Sequence, residues 1–258
     1  MKNQPIGVFD SGIGGLTVVK EIIKLLPNES IIYLGDTARV PYGTRDKETI
    51  TKFALELANF LLKQKVKVLV VACNTISATC LDKIQAVSPV PVIGVIKPII
   101  SEAKKITKNK MIGVIGTRAT VNSGVFNNKR FITQACPLFV PLVEEGLINH
   151  PATKLIAEDY LKIFKNKKIN VLILGCTHYH LLKKVIQRFV GKKVRLVDSA
   201  GPVSRELKRI LEKNNLLTGK KIPKYRFLVT DTPQRTKQIA DLFFNYRFPG
   251  KLEKIIII

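Results

Sequence analysis

The sequence predicts an α/β protein built from two related units. Short β-branched runs alternate with helix-like segments along the whole chain. Most of those runs are continuously apolar, as parallel strands covered by helices on both faces require. The third observation is an internal echo: the order of strand, glycine loop and cysteine-ended strand found in the first half returns in the second.

In order, the strand-like runs are IGVFD (6–10), IIYLG (31–35), VKVLVVA (66–72), VPVIGV (90–95), MIGVIG (111–116), VLILG (171–175), VRLVD (194–198) and YRFLVT (225–230). Helices are expected between them. From Leu16 to Leu26, the residues Leu16, Val19, Ile22, Ile23 and Leu26 recur at helical spacing, and Pro27 closes the segment. From Thr49 to Leu62 the same logic places Ile50, Phe53, Ala54, Leu57, Ala58 and Leu61 on one face. Both faces should pack on a sheet.

The echo has a measurable spacing. IGVFDSG at Ile6 is matched by IGVIGTR at Ile112, and VLVVACNT at Val68 by VLILGCTH at Val171. The separations are 62 residues from Ile6 to Val68 and 59 from Ile112 to Val171. Each unit therefore delivers a loop and a cysteine to the carboxyl ends of its strands, where open parallel sheets bind ligands.

Composition excludes several classes. No stretch approaches the ~18 apolar residues of a membrane helix, and MKNQPIGVFD lacks an apolar leader core, so a cytoplasmic protein with no membrane partner is expected. Cys73, Cys80, Cys136 and Cys176 show no C-x-x-C spacing, which fits reduced thiols. The formal net charge of +24 raises the question of an anionic partner. Its cations are dispersed in short groups such as Lys104-Lys105, Lys165 to Lys168 and Lys220-Lys221, without a recognised nucleic-acid motif. They read as solvated faces that would touch nucleic acid only nonspecifically.

Three stretches could carry chemistry. In FDSGIGGLTVV, Gly12, Gly14 and Gly15 allow close backbone approach beyond Asp10 and Ser11, but the pattern is no dinucleotide fingerprint; Asp10 reads equally as a helix cap. Cys73 is followed by Asn74 and Thr75, and Cys176 by Thr177 and His178. Either cysteine alone fits inert packing, but polar company at the exit of an apolar strand can bind a ligand and support a thiolate. Cys80 and Cys136 lack such company and read as packing. Cys176, His178 and His180 alternate like metal ligands, yet the chain turns helical at once, so no metal is expected. His150 reads as a residue of a loop or a helix start.

Taken together, IGVFDSGIGGLTVV, YLGDTARVPYGTRD, VVACNTISA, GVIGTRATV, PLVEEG, LILGCTHYHLL and VDSA closely resemble the glutamate racemases of the aspartate/glutamate racemase family, in order from residue 6 to about 205. One departure is His180, where the family usually has proline. The resemblance implies cofactor-independent interconversion of L- and D-glutamate for peptidoglycan synthesis. It also implies two doubly wound domains in a pseudo-twofold duplication, with the active site at their interface. The first domain would comprise 1–97 and about 208–258, with YRFLVTDT as a returning strand, and the second about 98–207.

The resemblance further implies roles. Cys73 would deprotonate D-glutamate and Cys176 L-glutamate, with Asp10 assisting the first thiol and His178 and Glu144 the second. Glu145 is an adjacent alternative to Glu144. Asp10, Ser11, Tyr42, Gly43, Asn74, Thr75, Thr117, Thr120, Thr177 and His178 would contact the substrate, with Thr117 and Thr120 equally suited to capping the helix they open. A homodimer is implied. The competing readings are an aspartate or hydantoin racemase and a basic nucleic-acid-binding protein on the same scaffold.

Overall fold

The computed structural model describes residues 1–107, 110–219, 221–231, 234–244 and 247–257; Lys220 and Thr232, named above, lie outside them. In chain order the elements are β1 (Ile6–Asp10), α1 (Leu16–Leu25), β2 (Ile31–Gly35), α2 (Lys47–Lys63), β3 (Val68–Val71), α3 (Asn74–Thr79), α4 (Leu81–Val87), β4 (Val92–Gly94) and α5 (Ile96–Thr107). There follow β5 (Met111–Gly116), α6 (Arg118–Asn122), β6 (Phe131–Ala135), α7 (Phe139–Glu144), α8 (Pro151–Leu161), β7 (Ile169–Gly175), α9 (Lys183–Val190) and β8 (Arg195–Val197). The chain ends with α10 (Ala200–Lys213), β9 (Tyr225–Val229), α11 (Gln234–Phe243) and β10 (Leu252–Lys254).

Two sheets form, and every strand pairing in them is parallel. The six-stranded sheet runs β10-β9-β2-β1-β3-β4 and the four-stranded sheet β6-β5-β7-β8. The second sheet repeats the β2-β1-β3-β4 order of the first, and β9 and β10 extend only the first. The equivalence extends to register: Phe9 pairs with Val71, two residues before Cys73, and Gly116 pairs with Gly175, immediately before Cys176.

Alternate strand residues face two separate apolar layers. Val8, Val70, Val114 and Ile173 join one cluster with Leu16, Val19, Ile22, Ile99 and Leu207, so α1, α5 and α10 fill the space shared by the two sheets. Phe9, Leu69 and Val71 face outward against Ile50, Ala54, Leu57 and Leu61 of α2. Ile115, Leu172 and Leu174 face outward against Phe139, Ala157 and Ile186. Strands buried on both faces explain why the runs are unbroken.

Local differences from the sequence reading have physical causes. α2 starts at Lys47 because Asp46 caps it, its carboxylate accepting from the amide and hydroxyl of Thr49, each at 2.8 Å. β6 (FITQA) and β10 (LEK) were not expected as strands: both lie at sheet edges and are only partly buried or exposed, so they carry no apolar signature. CTHYHLL does not enter a helix directly; Thr177–His180 form a 3₁₀ turn and α9 begins at Lys183. His150 caps α8, its Nδ1 accepting from the amide of Ala152 at 3.2 Å. Among the described residues no helix is long and apolar enough to cross a membrane.

Candidate active site

The carboxyl ends of β1, β3, β5 and β7 converge on one small cavity between the sheets, as expected for parallel α/β units. Cys73 and Cys176 both line it, with Ser11, Asn74 and Thr75 from the first half and Thr117, Thr177 and His178 from the second. The cavity volume is about 20 Å³, room for roughly one water. Cys80 and Cys136 are buried elsewhere and do not line it; burial pushes the Cys80 thiol up to about 11 and raises Cys136 further.

Around Cys73 the environment favours the protonated thiol. Its Sγ donates to Ser11 Oγ at 3.2 Å. Burial, then the neighbouring Asp10 carboxylate, push it up to about 12, with a lesser upward contribution from Cys176. Asp10 is fully buried; one carboxylate oxygen accepts from the amide of Gly15 at 2.9 Å, and the other has no partner among the described residues. Its carboxyl is also raised by burial, against the pull of His178 and of nearby backbone amides. Asp10 thus both holds Gly15, the residue before α1, and stands behind the first thiol.

Around Cys176 the environment is cationic. His178 Nδ1 lies 3.9 Å from the Cys176 sulfur, and Nε2 lies 2.5 Å from Glu144 Oε1. Burial works against the imidazolium, but Cys176 and Glu144 outweigh it and hold His178 well above its ordinary range. The ring edge rests on Phe243 of α11, with centroids 6.3 Å apart. The glycine loop makes room here: a Cβ on Gly14 would stand 2.8 Å from His178 Nδ1, so Gly14 lets the first half approach the second.

Hydroxyls from both halves meet at the wall of the same cavity. Thr75 and Thr117 Oγ1 are 2.9 Å apart, Thr117 and Thr120 2.9 Å, and Thr75 and Thr120 3.3 Å, so side chains of both halves meet directly. Thr117 also caps α6 through the amide of Thr120. Asn74 Nδ2 lies 3.5 Å from Ser199 Oγ, and its Oδ1 is buried without a partner among the described residues. Such neutral donors suit a carboxylate on which negative charge builds up.

Several contributors were not anticipated. Val40, Pro41 and Val140 also wall the cavity. Asp36, quoted in the sequence only within DTARVPYG, is fully buried and holds the loop bearing Tyr42 and Gly43: it accepts from the Tyr42 hydroxyl, from Arg39 Nε at 2.6 Å and from Thr230 Oγ1 at 2.8 Å. Arg39 in turn reaches Glu56 at 2.5 Å and lies 4.0 Å above the Phe53 ring. An acid followed by arginine three residues on and tyrosine six residues on was the available signal. His180, the departure from the family pattern, pairs with Asp198 Oδ2 at 2.8 Å, while Asp198 Oδ1 accepts from Ala200 N at the start of α10.

Known proteins resemble this chain over most of its length. Residues 6–201 match the Asp/Glu/Hydantoin racemase family. A glutamate racemase of Syntrophus aciditrophicus is 45% identical over 255 residues, covering 95% of this chain and 94% of that protein. A glutamate racemase of Bacillus anthracis superposes with a TM-score of 0.94 at 37% identity, over 100% of this chain and 99% of that one. A Francisella tularensis glutamate racemase, solved in complex with D-glutamate, superposes with a TM-score of 0.92 at 42% identity, again over 100% and 99%.

Proposed function

The chain belongs to the Asp/Glu/hydantoin racemase family, and from that premise we propose how its residues divide the work of a glutamate racemase. The activity is interconversion of L- and D-glutamate, whose D-form the family supplies to peptidoglycan. The observation that carries the mechanism is the placement of Cys73 and Cys176 at matching strand ends of two like-ordered sheets, on one cavity.

Inversion at Cα needs one group to remove the proton and another to deliver one to the opposite face. Cys176 takes the proton from L-glutamate while Cys73 supplies the other; with D-glutamate the roles reverse. His178, held protonated by Glu144, stands beside the Cys176 sulfur. At Cys73 the Asp10 carboxylate disfavours the thiolate, which makes that thiolate a strong base once formed. As the α-proton leaves, charge moves onto the α-carboxylate, where Asn74, Thr75 and Thr117 can donate, with Thr120, which does not line the cavity, bonded to both threonines behind them. Their mutual hydrogen bonds are exchanged for bonds to substrate, and the small cavity must widen to admit it. Ser11, Tyr42, Gly43 and Thr177 complete the walls, and neither proton transfer draws on a cofactor.

The test is racemisation without added cofactor, with deuterium incorporation at Cα in D₂O followed from each enantiomer. Incorporation from both glutamate enantiomers is expected; preference for aspartate would move the substrate assignment to the sister racemases. A homodimer, a cytoplasmic location and a division into 1–97 with about 208–258 and about 98–207 belong to the same proposal. Sedimentation of the purified chain reads the dimer.

A further inference from the structure

A second, larger cavity adjoins the catalytic one. Its volume is about 450 Å³, and its wall includes Arg45 and Lys47 from the first half and Arg118 and Asn122 from the second. Gly43 belongs to the walls of both cavities. The partition there is thin: a Cβ on Gly43 would stand 2.5 Å from Thr117 Cβ, so a glycine backbone and one threonine side chain separate the two spaces. Thr79, whose hydroxyl has no partner among the described residues, also contributes to the wall of the larger cavity.

The two cavities differ in charge: on the catalytic wall the one cation is the His178 imidazolium, paired with Glu144. No lysine or arginine lines the catalytic cavity among the described residues, and Asp10 and Glu144 stand behind its wall. Arg45, Lys47 and Arg118 are exposed, and none makes an ion pair with another described residue. Asp46, between the first two in sequence, is committed to Thr49 as the cap of α2.

We propose that this cationic crevice is the vestibule in which the anionic amino acid is gathered before it passes between Gly43 and Thr117 to the thiols. The proposal rests on the glutamate reading above. Glutamate carries two carboxylates and one ammonium, and a site whose one imidazolium is paired with Glu144, with Asp10 behind the wall, does little to attract it from a distance. A lysine or arginine beside Cys73 would attract it, but would also hold the thiolate and weaken it as a base. Cations one cavity away raise the local concentration of the substrate without that effect on the reacting groups.

The experiment replaces Arg45→Gln, Lys47→Gln and Arg118→Gln together and follows kcat and KM for both enantiomers from about 20 mM to about 300 mM salt. The expected result is an unchanged kcat, which also reports correct folding, with KM raised roughly tenfold at low salt. The salt dependence of kcat/KM should flatten, and Arg118→Glu alone should raise KM more than Arg118→Gln. A control takes the same charge from a remote basic groove through Lys184→Gln, Arg188→Gln and Lys192→Gln, and should leave kcat/KM and its salt response intact. Wild-type kinetics in the triple variant, or an equal loss in the control, overturns the vestibule. A wild-type protein that turns over neither enantiomer overturns the functional reading and the vestibule with it, whereas an active wild type beside an insensitive triple variant overturns the vestibule alone.

Discussion

The two cysteine sites share a backbone plan and differ in charge. Cys73 and Cys176 follow β3 and β7, interior strands that pair with β1 and β5. Yet one thiol stands beside a buried, half-satisfied carboxylate and the other beside an imidazolium paired with Glu144. Duplication of the fold therefore accounts for where the thiols are, and the neighbouring side chains for the charge each one faces. A racemase needs the first to be alike and tolerates inequality in the second. The enantiomers have equal free energy in water, so kcat/KM is the same in both directions for any variant, however unlike its two bases.

That equality determines how the comparison can be broken. Cys73→Ser and Cys176→Ser should each lower racemisation by about 10³-fold or more, because each removes a group needed in both directions. The difference between the halves should appear instead in proton exchange without inversion. Cys73→Ser retains Cys176 and should wash deuterium out of Cα-labelled L-glutamate but not D-glutamate; Cys176→Ser should do the reverse. Wash-out of D-glutamate in Cys73→Ser and of L-glutamate in Cys176→Ser would show that the bases are assigned to the wrong faces, and near-normal racemisation in either would remove the two-base mechanism.

The halves were also unequally legible. β1, β3, β5 and β7 are central strands, so they read as unbroken apolar runs, and the polar residues after Cys73 and Cys176 marked where chain meets cavity. β6 is half-buried at an edge, and its Thr and Gln hid it. Glu144 and Glu145 are adjacent at the end of α7, and only the fold shows that Glu144 meets His178. Asp36 was illegible as a support because one of its partners, Thr230, lies 194 residues away and arrives with β9. What sequence reasoning misses here is closure: which distant segment returns to hold a loop.

Glu144→Gln probes the cationic half more gently, since it leaves both thiols and His178 in place. Glu144 is one of the groups that raise His178, so its neutralisation should let the imidazolium lose its proton at lower pH. The alkaline limb of kcat for L-glutamate, where Cys176 must be a thiolate beside an imidazolium, should move toward acid, with a loss of roughly tenfold at neutral pH. The profile for D-glutamate should move less. Equal movement of both profiles would mean that His178 serves both thiols, and the contrast between the halves would weaken.

The smallest effect bears on stability, and there the halves should differ in sign. The folded Asp10 holds its proton above the ordinary carboxylate value, so the folded protein binds more protons than the unfolded chain in that window, and stability falls as pH rises through it. Above the raised value the cost is fully present, and the oxygen without a partner adds to it. Asp10→Asn keeps an acceptor for the Gly15 amide and removes the buried charge. Its Tm should therefore rise by about 2–4 °C at about pH 8, the effect of about 1 kcal/mol in a chain of this size, with the gain fading toward the ordinary carboxylate range. His178 works the other way: a raised histidine contributes stability that is full below its ordinary value and lost as pH rises through the folded one. Glu144→Gln weakens that contribution and should lower Tm at about pH 6. Shifts of the same sign in the two variants, followed by thermal unfolding across pH, would show that the carboxylates behind the two thiols are under the same strain. Opposite signs would identify Asp10 as a group held at a cost to stability beside the base it serves.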